Sequence, residues 1–174
     1  MKRLIFFLVA LTTTIASYGQ TKNENLKIIW PEEYKWKIGS NQEDNSTHLL
    51  EIVPDKERID KWSMLGTMMS LKNTKIESTD QVVEMYRQSS QKESPKAKLT
   101  VIEDNNKVKN IWVLFKVETP SFPNDPNPES QLYYAIQGEV ALYINFIAIK
   151  EKTLSKDFLS KWTKVFKNSE LVYQ

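Results

Sequence analysis

The chain has 174 residues, of which 40% are hydrophobic, 26% charged and 11% aromatic, and it contains no Cys. These values are typical of one ordinary globular domain, and they exclude collagen, a coiled coil and a disordered chain. The formal charge is small, at +2 from 24 basic and 22 acidic residues. Without Cys, the chain has no disulfide, no thiolate metal site and no cysteine nucleophile.

The N-terminus has the pattern of a secretory signal peptide. Lys2 and Arg3 precede an unbroken apolar run over residues 4–11, and small side chains follow. This order of basic, apolar and small residues predicts export, with cleavage between Gly19 and Gln20. An uncleaved N-terminal anchor is the alternative, although the apolar run is shorter than the roughly 20 residues that span a bilayer.

Removal of the signal peptide, residues 1–19, leaves residues 20–174, which we expect to form a single domain. This part has 22 basic and 22 acidic residues, because Lys2 and Arg3 leave with the signal. It has no basic stripe for nucleic acid and no further apolar segment for a stable membrane span. An exported chain without Cys favours a bacterial source, so we predict a periplasmic or extracellular location.

Alternating apolar and polar side chains predict four strands in the first half of the domain. These strands cover residues 26–30, 34–38, 47–53 and 62–71. A helix follows, for which Ser78 or Thr79 could provide the N-cap. Its apolar face is expected to carry Val82, Val83 and Tyr86.

Four more strands and a second helix are predicted in the second half. The strands cover residues 98–103, 108–118, 131–137 and 139–150. Four Pro exclude regular structure from the loop 119–130. Ser155 could cap the last helix, and helical spacing gives it an apolar face. That face consists of Leu154, Phe158, Trp162, Val165 and Phe166.

This order of elements predicts an α+β fold with an antiparallel sheet of about six to seven strands flanked by helices. The central strands carry apolar side chains on both faces, as in Val113 and Phe115 on one side and Trp112 and Leu114 on the other. If the two helices lie on opposite faces, the result is an α/β/α sandwich.

Three segments carry a resemblance to a known family. They are LEIVPD at residues 50–55 with KWSM at 61–64, EMYR at 84–87 inside the first helix, and ESQLYY at 129–134 before a long strand. With them the sequence resembles small exported bacterial proteins of unassigned function that have the PsbP-like fold, named for an extrinsic photosystem II subunit. The resemblance implies an α/β/α sandwich whose relatives mostly bind rather than catalyse. Function does not transfer with a fold, so no site residue is carried over.

No motif for catalysis, cofactor or metal binding is found. His48 is the only His, which excludes multi-His metal sites, and the chain lacks a nucleophile elbow and a glycine-rich phosphate loop. The loop 124–129 offers clustered oxygen atoms for calcium, but it lacks the glycine and spacing of an EF-hand. We therefore predict no catalytic, cofactor-binding or metal-binding residue, and a protein that is not an enzyme.

The carboxylates leave one enzymatic alternative open, a hydrolase of envelope polysaccharide. Such an enzyme would need two acidic side chains facing one cleft, at least one of them with a raised pKa. The candidates are Glu32, Glu33, Asp55, Glu57, Glu84 and Glu139.

The aromatic residues have two possible roles, either filling the core or lining an exposed groove for a partner. For the second role we predict a recognition surface that includes the proline-rich loop and consists of Trp30, Tyr34, Trp36, Phe122 and Asp125. The predicted function is a non-enzymatic accessory or binding protein of the bacterial envelope. Its partner would be an envelope protein or glycan. A carrier of a small hydrophobic ligand, with a closed apolar cavity, is a further alternative.

Overall fold

A computed structural model describes residues 23–173, so the predicted signal peptide lies outside the described residues. In this part the chain forms nine strands and two α-helices. The first strands are β1 (Glu24–Lys27), β2 (Trp36–Glu43), β3 (Thr47–Pro54) and β4 (Met64–Lys72). Helix α1 (Thr79–Glu93) is followed by β5 (Lys98–Asn105), β6 (Trp112–Thr119), β7 (Glu129–Gln137) and β8 (Ala141–Ile149). Helix α2 (Lys156–Lys167) and β9 (Glu170–Tyr173) complete the fold.

Seven strands form one antiparallel sheet in the order β2-β3-β4-β8-β7-β6-β5. It consists of two hairpin-linked meanders joined where β4 pairs with β8. The predicted α+β class, the antiparallel pairing and the number of strands are confirmed. The remaining strands, β1 and β9, pair with each other in a separate two-stranded ribbon.

Helix α1 covers one face of the sheet. Its Val82 and Val83 are buried in a cluster with Val113, Phe115 and Tyr133 from β6 and β7. Because side chains on a strand alternate between the two faces, the residues next to these in sequence point the other way. The predicted apolar face of the helix is therefore the face that packs.

Helix α2 packs against the other face. Trp162 and Phe166 are fully buried there with Leu114 and Tyr134, which alternate with the residues under α1. Trp30 lies against the backbone of Gly66 on the same face, where a Cβ atom would be 2.7 Å from the indole ring. Both faces of the central strands are thus covered, which explains why their sequences are apolar in nearly every position.

Three predicted strands differ from the structure by more than two residues at one end. The strand predicted over residues 26–30 ends at Lys27, and it pairs outside the main sheet. The strand predicted over 34–38 begins only at Trp36, because Glu32–Tyr34 form a 3₁₀ turn that ends in the left-handed Lys35. The strand predicted to begin at residue 108 begins at Trp112.

The β2–β3 hairpin is longer than the sequence indicates. Strand β2 continues to Glu43, whereas the predicted strand ends at residue 38. The turn itself is shorter, since the Asp44 carboxylate accepts hydrogen bonds from the backbone N–H groups of Ser46 and Thr47, both at 2.7 Å. This Asx-type turn lets the polar residues before it stay in the ladder.

The two helices begin in different ways. The Ser155 hydroxyl accepts a hydrogen bond from the Phe158 N–H at 3.1 Å, as predicted for an N-cap. Ser78 occupies the corresponding position of α1, but its side chain makes no capping bond. Instead, the Asn106 side chain accepts from the Thr79 N–H and donates to the Thr79 hydroxyl, both at 2.9 Å.

This difference gives a matched pair of variants. We expect Ser155→Ala to lower the free energy of unfolding by about 1 kcal/mol, because a first-turn N–H of α2 loses its acceptor. Ser78→Ala removes no capping bond, so it is expected to change stability much less. Urea unfolding of both variants beside the wild type measures the effect, and equal losses for the two serines would contradict it.

Candidate recognition cleft

A cleft of about 240 Å³ lies on the α1 face of the sheet. Its walls are the C-terminal half of α1, the ends of β6 and β7, and the proline-rich loop that joins these strands. Tyr86, Ser89, Ser90 and Glu93 face it from the helix, at spacings of three, one and three residues. This spacing places all four side chains on one side of α1.

Two tyrosine rings form the floor of the cleft. Tyr133 is stacked on the buried ring of Phe115, with 4.8 Å between centroids, and its ring lies 4.7 Å from that of Tyr86. Burial raises the pKa of Tyr86 to about 12. Burial also raises the pKa of Tyr133, with smaller contributions from Tyr86 and the carboxylates of Glu129 and Glu93. Both phenols therefore stay protonated and uncharged at physiological pH.

A chain of polar contacts runs along β7 at the base of the cleft. The Tyr133 hydroxyl donates to the Gln131 side-chain oxygen, and the Gln131 amide donates to Glu129 at 2.6 Å. The other Glu129 oxygen pairs with Lys150 at 2.7 Å, and that ammonium lies 3.9 Å from the centroid of Trp62. Both carboxyl oxygens of Glu129 therefore have partners.

The proline-rich loop is fixed against α1. The Ser94 hydroxyl, buried just after the helix, donates to the Ser121 carbonyl at 2.7 Å. Phe122 and Asp125 exchange backbone hydrogen bonds of 2.7 and 3.3 Å, which closes a tight turn. The Asp125 carboxylate also accepts bonds from Asn127, so the turn is stabilised by its own side chains. Hydrogen bonds within the chain therefore hold the outer wall of the cleft against α1.

The five residues of the predicted recognition surface lie in two separate places. Phe122 lines the cleft, and Asp125 closes the turn that carries it. Trp30, Tyr34 and Trp36 instead pack on the α2 face around Trp162. Tyr34 stacks on the Trp162 ring with 5.8 Å between centroids. The ring centroids of Trp30 and Trp36 are 5.4 Å apart.

These three rings therefore contribute to a half-buried core cluster rather than to the cleft. Their closeness in sequence does not bring them to the same surface as the proline-rich loop, since the sheet lies between the two groups.

The carboxylates named for a hydrolase occupy different positions. Glu33 pairs with Lys161 at 2.6 Å, and the hydrogen bond from this lysine lowers the pKa of Glu33. Glu84 contacts Arg87 at 3.4 Å on α1, and Glu139 pairs with Lys109 at 2.6 Å. The two carboxylates that do share the cleft, Glu93 and Glu129, were not among the predicted six.

A usable signal for Glu129 was present in the sequence. Glu129, Gln131 and Tyr133 alternate along β7, so their side chains emerge on one face of the sheet.

His48 lies away from the cleft on the exposed β2–β3 hairpin, where its Nε2 is 2.8 Å from the Asn41 side-chain oxygen.

The hydrogen bonds of Glu57 predict that stability depends on pH. Burial raises its pKa, but hydrogen bonds from the Ser63 hydroxyl and the Ser63 and Met64 N–H groups outweigh burial and lower the pKa below the usual value. A lowered pKa in the folded state stabilises the protein above the pKa of the unfolded state, about 4.3. The contribution is lost as the pH falls through the folded-state pKa.

We therefore expect Glu57→Gln to be less stable than the wild type at pH 7, by no more than about 1 kcal/mol because the group is partly exposed. The difference should shrink steadily below about pH 4. Urea unfolding of both proteins at several pH values measures it. A difference that is the same at pH 7 and at pH 2 would show that the carboxylate charge is not responsible.

Comparison with protein-family models and with curated proteins finds no match for the chain. Within residues 23–173, neither helix has the length and apolar character required to span a bilayer. The same residues bring together no group of three or more His, Asp or Glu side chains suited to hold a metal ion.

Proposed function

We propose that this chain is a non-enzymatic accessory or binding protein, exported to the bacterial envelope, with the PsbP-like α/β/α sandwich. The cleft under α1 is the observation that carries the proposal. Helices against opposite faces of an antiparallel sheet support the sandwich. The basic, apolar and small-residue order of the N-terminus supports export.

The chemistry of the cleft supports binding rather than catalysis. Its floor consists of uncharged phenols, and Glu129 already has partners on both oxygens. A general acid among the carboxylates would need a raised pKa, whereas the pKa values of Glu33 and Glu57 are lowered. Preformed walls with an aromatic floor and a polar rim suit the recognition of a partner group.

The experiment compares capture of envelope proteins by three immobilised forms of the exported domain. Ser89 is an exposed residue of the cleft rim, so Ser89→Trp would fill the entrance without disturbing the core. Gln91→Trp places the same ring on an exposed position of α1 outside the cleft and serves as the control. Detergent extracts of the source's envelope fraction provide the partner, and quantitative mass spectrometry measures capture.

We expect the wild type and Gln91→Trp to retain the same partner and Ser89→Trp to lose it. Capture that survives Ser89→Trp would move the contact surface away from the cleft. If the wild type retains neither protein nor glycan, the binding role is wrong.

Export has its own test. We expect the precursor, expressed in a Gram-negative host, to appear in the periplasmic fraction as a chain that begins at Gln20. Intact-mass measurement of that fraction identifies the N-terminus. A chain that keeps residues 1–19 and stays with the membrane would support the uncleaved anchor instead.

A further inference from the structure

We infer that the cleft under α1 receives an arginine side chain of a protein partner. The inference rests on the proposed function and names the chemical group that the cleft recognises. It follows from the size of the cleft, its charge and its aromatic floor, which are independent features of the described residues.

The size of the cleft indicates a single side chain. Pockets for small-molecule ligands usually enclose about 300–1,000 Å³, and they are mostly apolar. The cleft encloses about 240 Å³ and has serine and carboxylate groups on its rim. Anchor residues at protein interfaces typically insert one large side chain into such a pocket, and arginine is among the most frequent anchors.

The charge of the cleft indicates a cation. Glu93 is the last residue of α1, and within residues 23–173 it has no ion-pair partner. A negative charge at a helix C-terminus is unfavourable, because the last carbonyl groups already carry partial negative charge. A bound cation would offset this repulsion by pairing with the Glu93 carboxylate.

Lys92 precedes Glu93 in the last turn of α1, but it lines a different groove of the helix and not the cleft. Lys150 forms an ion pair with Glu129 at the base of the cleft, with 2.7 Å between the ammonium nitrogen and a carboxyl oxygen. The charges of these two residues therefore balance. Glu93 and Glu129 are the charged residues that line the cleft. Since Lys150 balances Glu129, the charge of Glu93 is the one left without an ion-pair partner among the described residues.

The aromatic floor selects arginine over lysine. A guanidinium group is planar, weakly hydrated and able to stack on a ring while it donates up to five hydrogen bonds. The half-buried ring of Tyr86 provides a surface for such stacking, and Glu93 provides an acceptor at the rim. Tyr133 supports this ring from inside, since its own ring is buried against those of Tyr86, Phe115 and Phe146. An ammonium group could use the carboxylate but would gain less from the rings.

The test is a titration of the ¹⁵N-labelled exported domain with the peptide acetyl-Gly-Arg-Gly-amide, followed by NMR. Matched peptides carry lysine or the neutral isostere citrulline in place of arginine, and a chitin oligosaccharide represents a glycan. We expect the arginine peptide to shift the amide signals of residues 86–94 with a dissociation constant on the order of 1 mM.

The citrulline peptide should bind too weakly to measure. Glu93→Gln should weaken binding of the arginine peptide about three- to fivefold, as expected for an exposed ion pair. Glu84→Gln removes an equal charge from the outer face of the same helix, away from the cleft, and should leave the affinity unchanged.

Each other outcome overturns the inference. Equal binding of the citrulline or lysine peptide would exclude recognition of guanidinium, and shifts produced only by the oligosaccharide would indicate a glycan. If no peptide binds but Ser89→Trp still abolishes capture of the envelope partner, the inference fails and the proposed function stands. If no peptide binds and the Ser89→Trp variant still captures the envelope partner, the binding role assigned to the cleft is wrong as well.

Discussion

Replacement of Trp162 by alanine is expected to lower the free energy of unfolding by about 3–5 kcal/mol, the range for large aromatic residues in cores. Trp162 is fully buried at the centre of the cluster under α2. Its ring contacts those of Trp30, Tyr34 and Phe158 at centroid distances of 5.7, 5.8 and 6.0 Å. Alanine would leave a cavity that these rings could fill only by losing their present contacts.

Thermal unfolding followed by circular dichroism measures this effect, with a fall in Tm of about 6–20 °C for a domain of this size. Trp162→Phe is the control, since it keeps a ring and removes an indole N–H that has no hydrogen-bond partner among the described residues. It should lose roughly half as much stability or less. A loss below about 1 kcal/mol for Trp162→Ala would mean that the ring is not in the core.

Replacement of Phe115 by alanine is the second large effect, and it acts on the opposite face. Phe115 is fully buried, stacks on Tyr133 at 4.8 Å and contacts Tyr86 at 5.5 Å. We expect a loss of about 3–5 kcal/mol in the free energy of unfolding. Because Phe115 supports the floor of the cleft, the variant should also lose binding at temperatures where it remains folded.

Val101→Ala is the control for Phe115→Ala, because Val101 lies exposed on the edge strand β5 and should change stability by less than about 0.5 kcal/mol. The losses for Phe115→Ala and Trp162→Ala should add in the double variant to within about 0.5 kcal/mol, since the two residues belong to separate clusters. Urea unfolding gives these values. A strong departure from additivity would show that the two faces are one coupled core.

The regular elements of the fold could be predicted from the sequence where their periodicity is long. The apolar residues of helix α2 are spaced so that they all lie on one face of the helix. Trp162 and Phe166, which belong to this face, are the buried residues of α2. The β7–β8 hairpin is apolar on both faces because both faces are covered. In these cases the local pattern and the tertiary packing point to the same structure.

Other features depend on contacts between distant parts of the chain. Strands β1 and β9 have four residues each and come from opposite ends of the described sequence, so neither has a local pattern that indicates their pairing. The ribbon is anchored by Glu24, whose backbone carbonyl accepts from the Tyr143 hydroxyl at 2.9 Å. The start of α1 is likewise set by Asn106, a residue 27 positions away from Thr79.

The candidate site was predicted only in part for the same reason. Phe122 and Asp125 were chosen because four prolines exclude regular structure and mark an exposed loop, and the structure places both in the turn beside the cleft. The aromatic residues at 30–36 were assigned to the same surface from their density in the sequence. Which face of the sheet they occupy depends on the 3₁₀ turn and on the left-handed Lys35, which no sequence pattern indicated.

We expect partners to contact this protein at the cleft under α1. Site-specific photocrosslinking in the envelope of the source organism tests it most directly, with benzoylphenylalanine in place of Ser89 at the cleft rim or of Ile38, an exposed residue on the α2 face. We expect one discrete crosslinked product from position 89 and none from position 38. A product from position 38 without one from position 89 would contradict it.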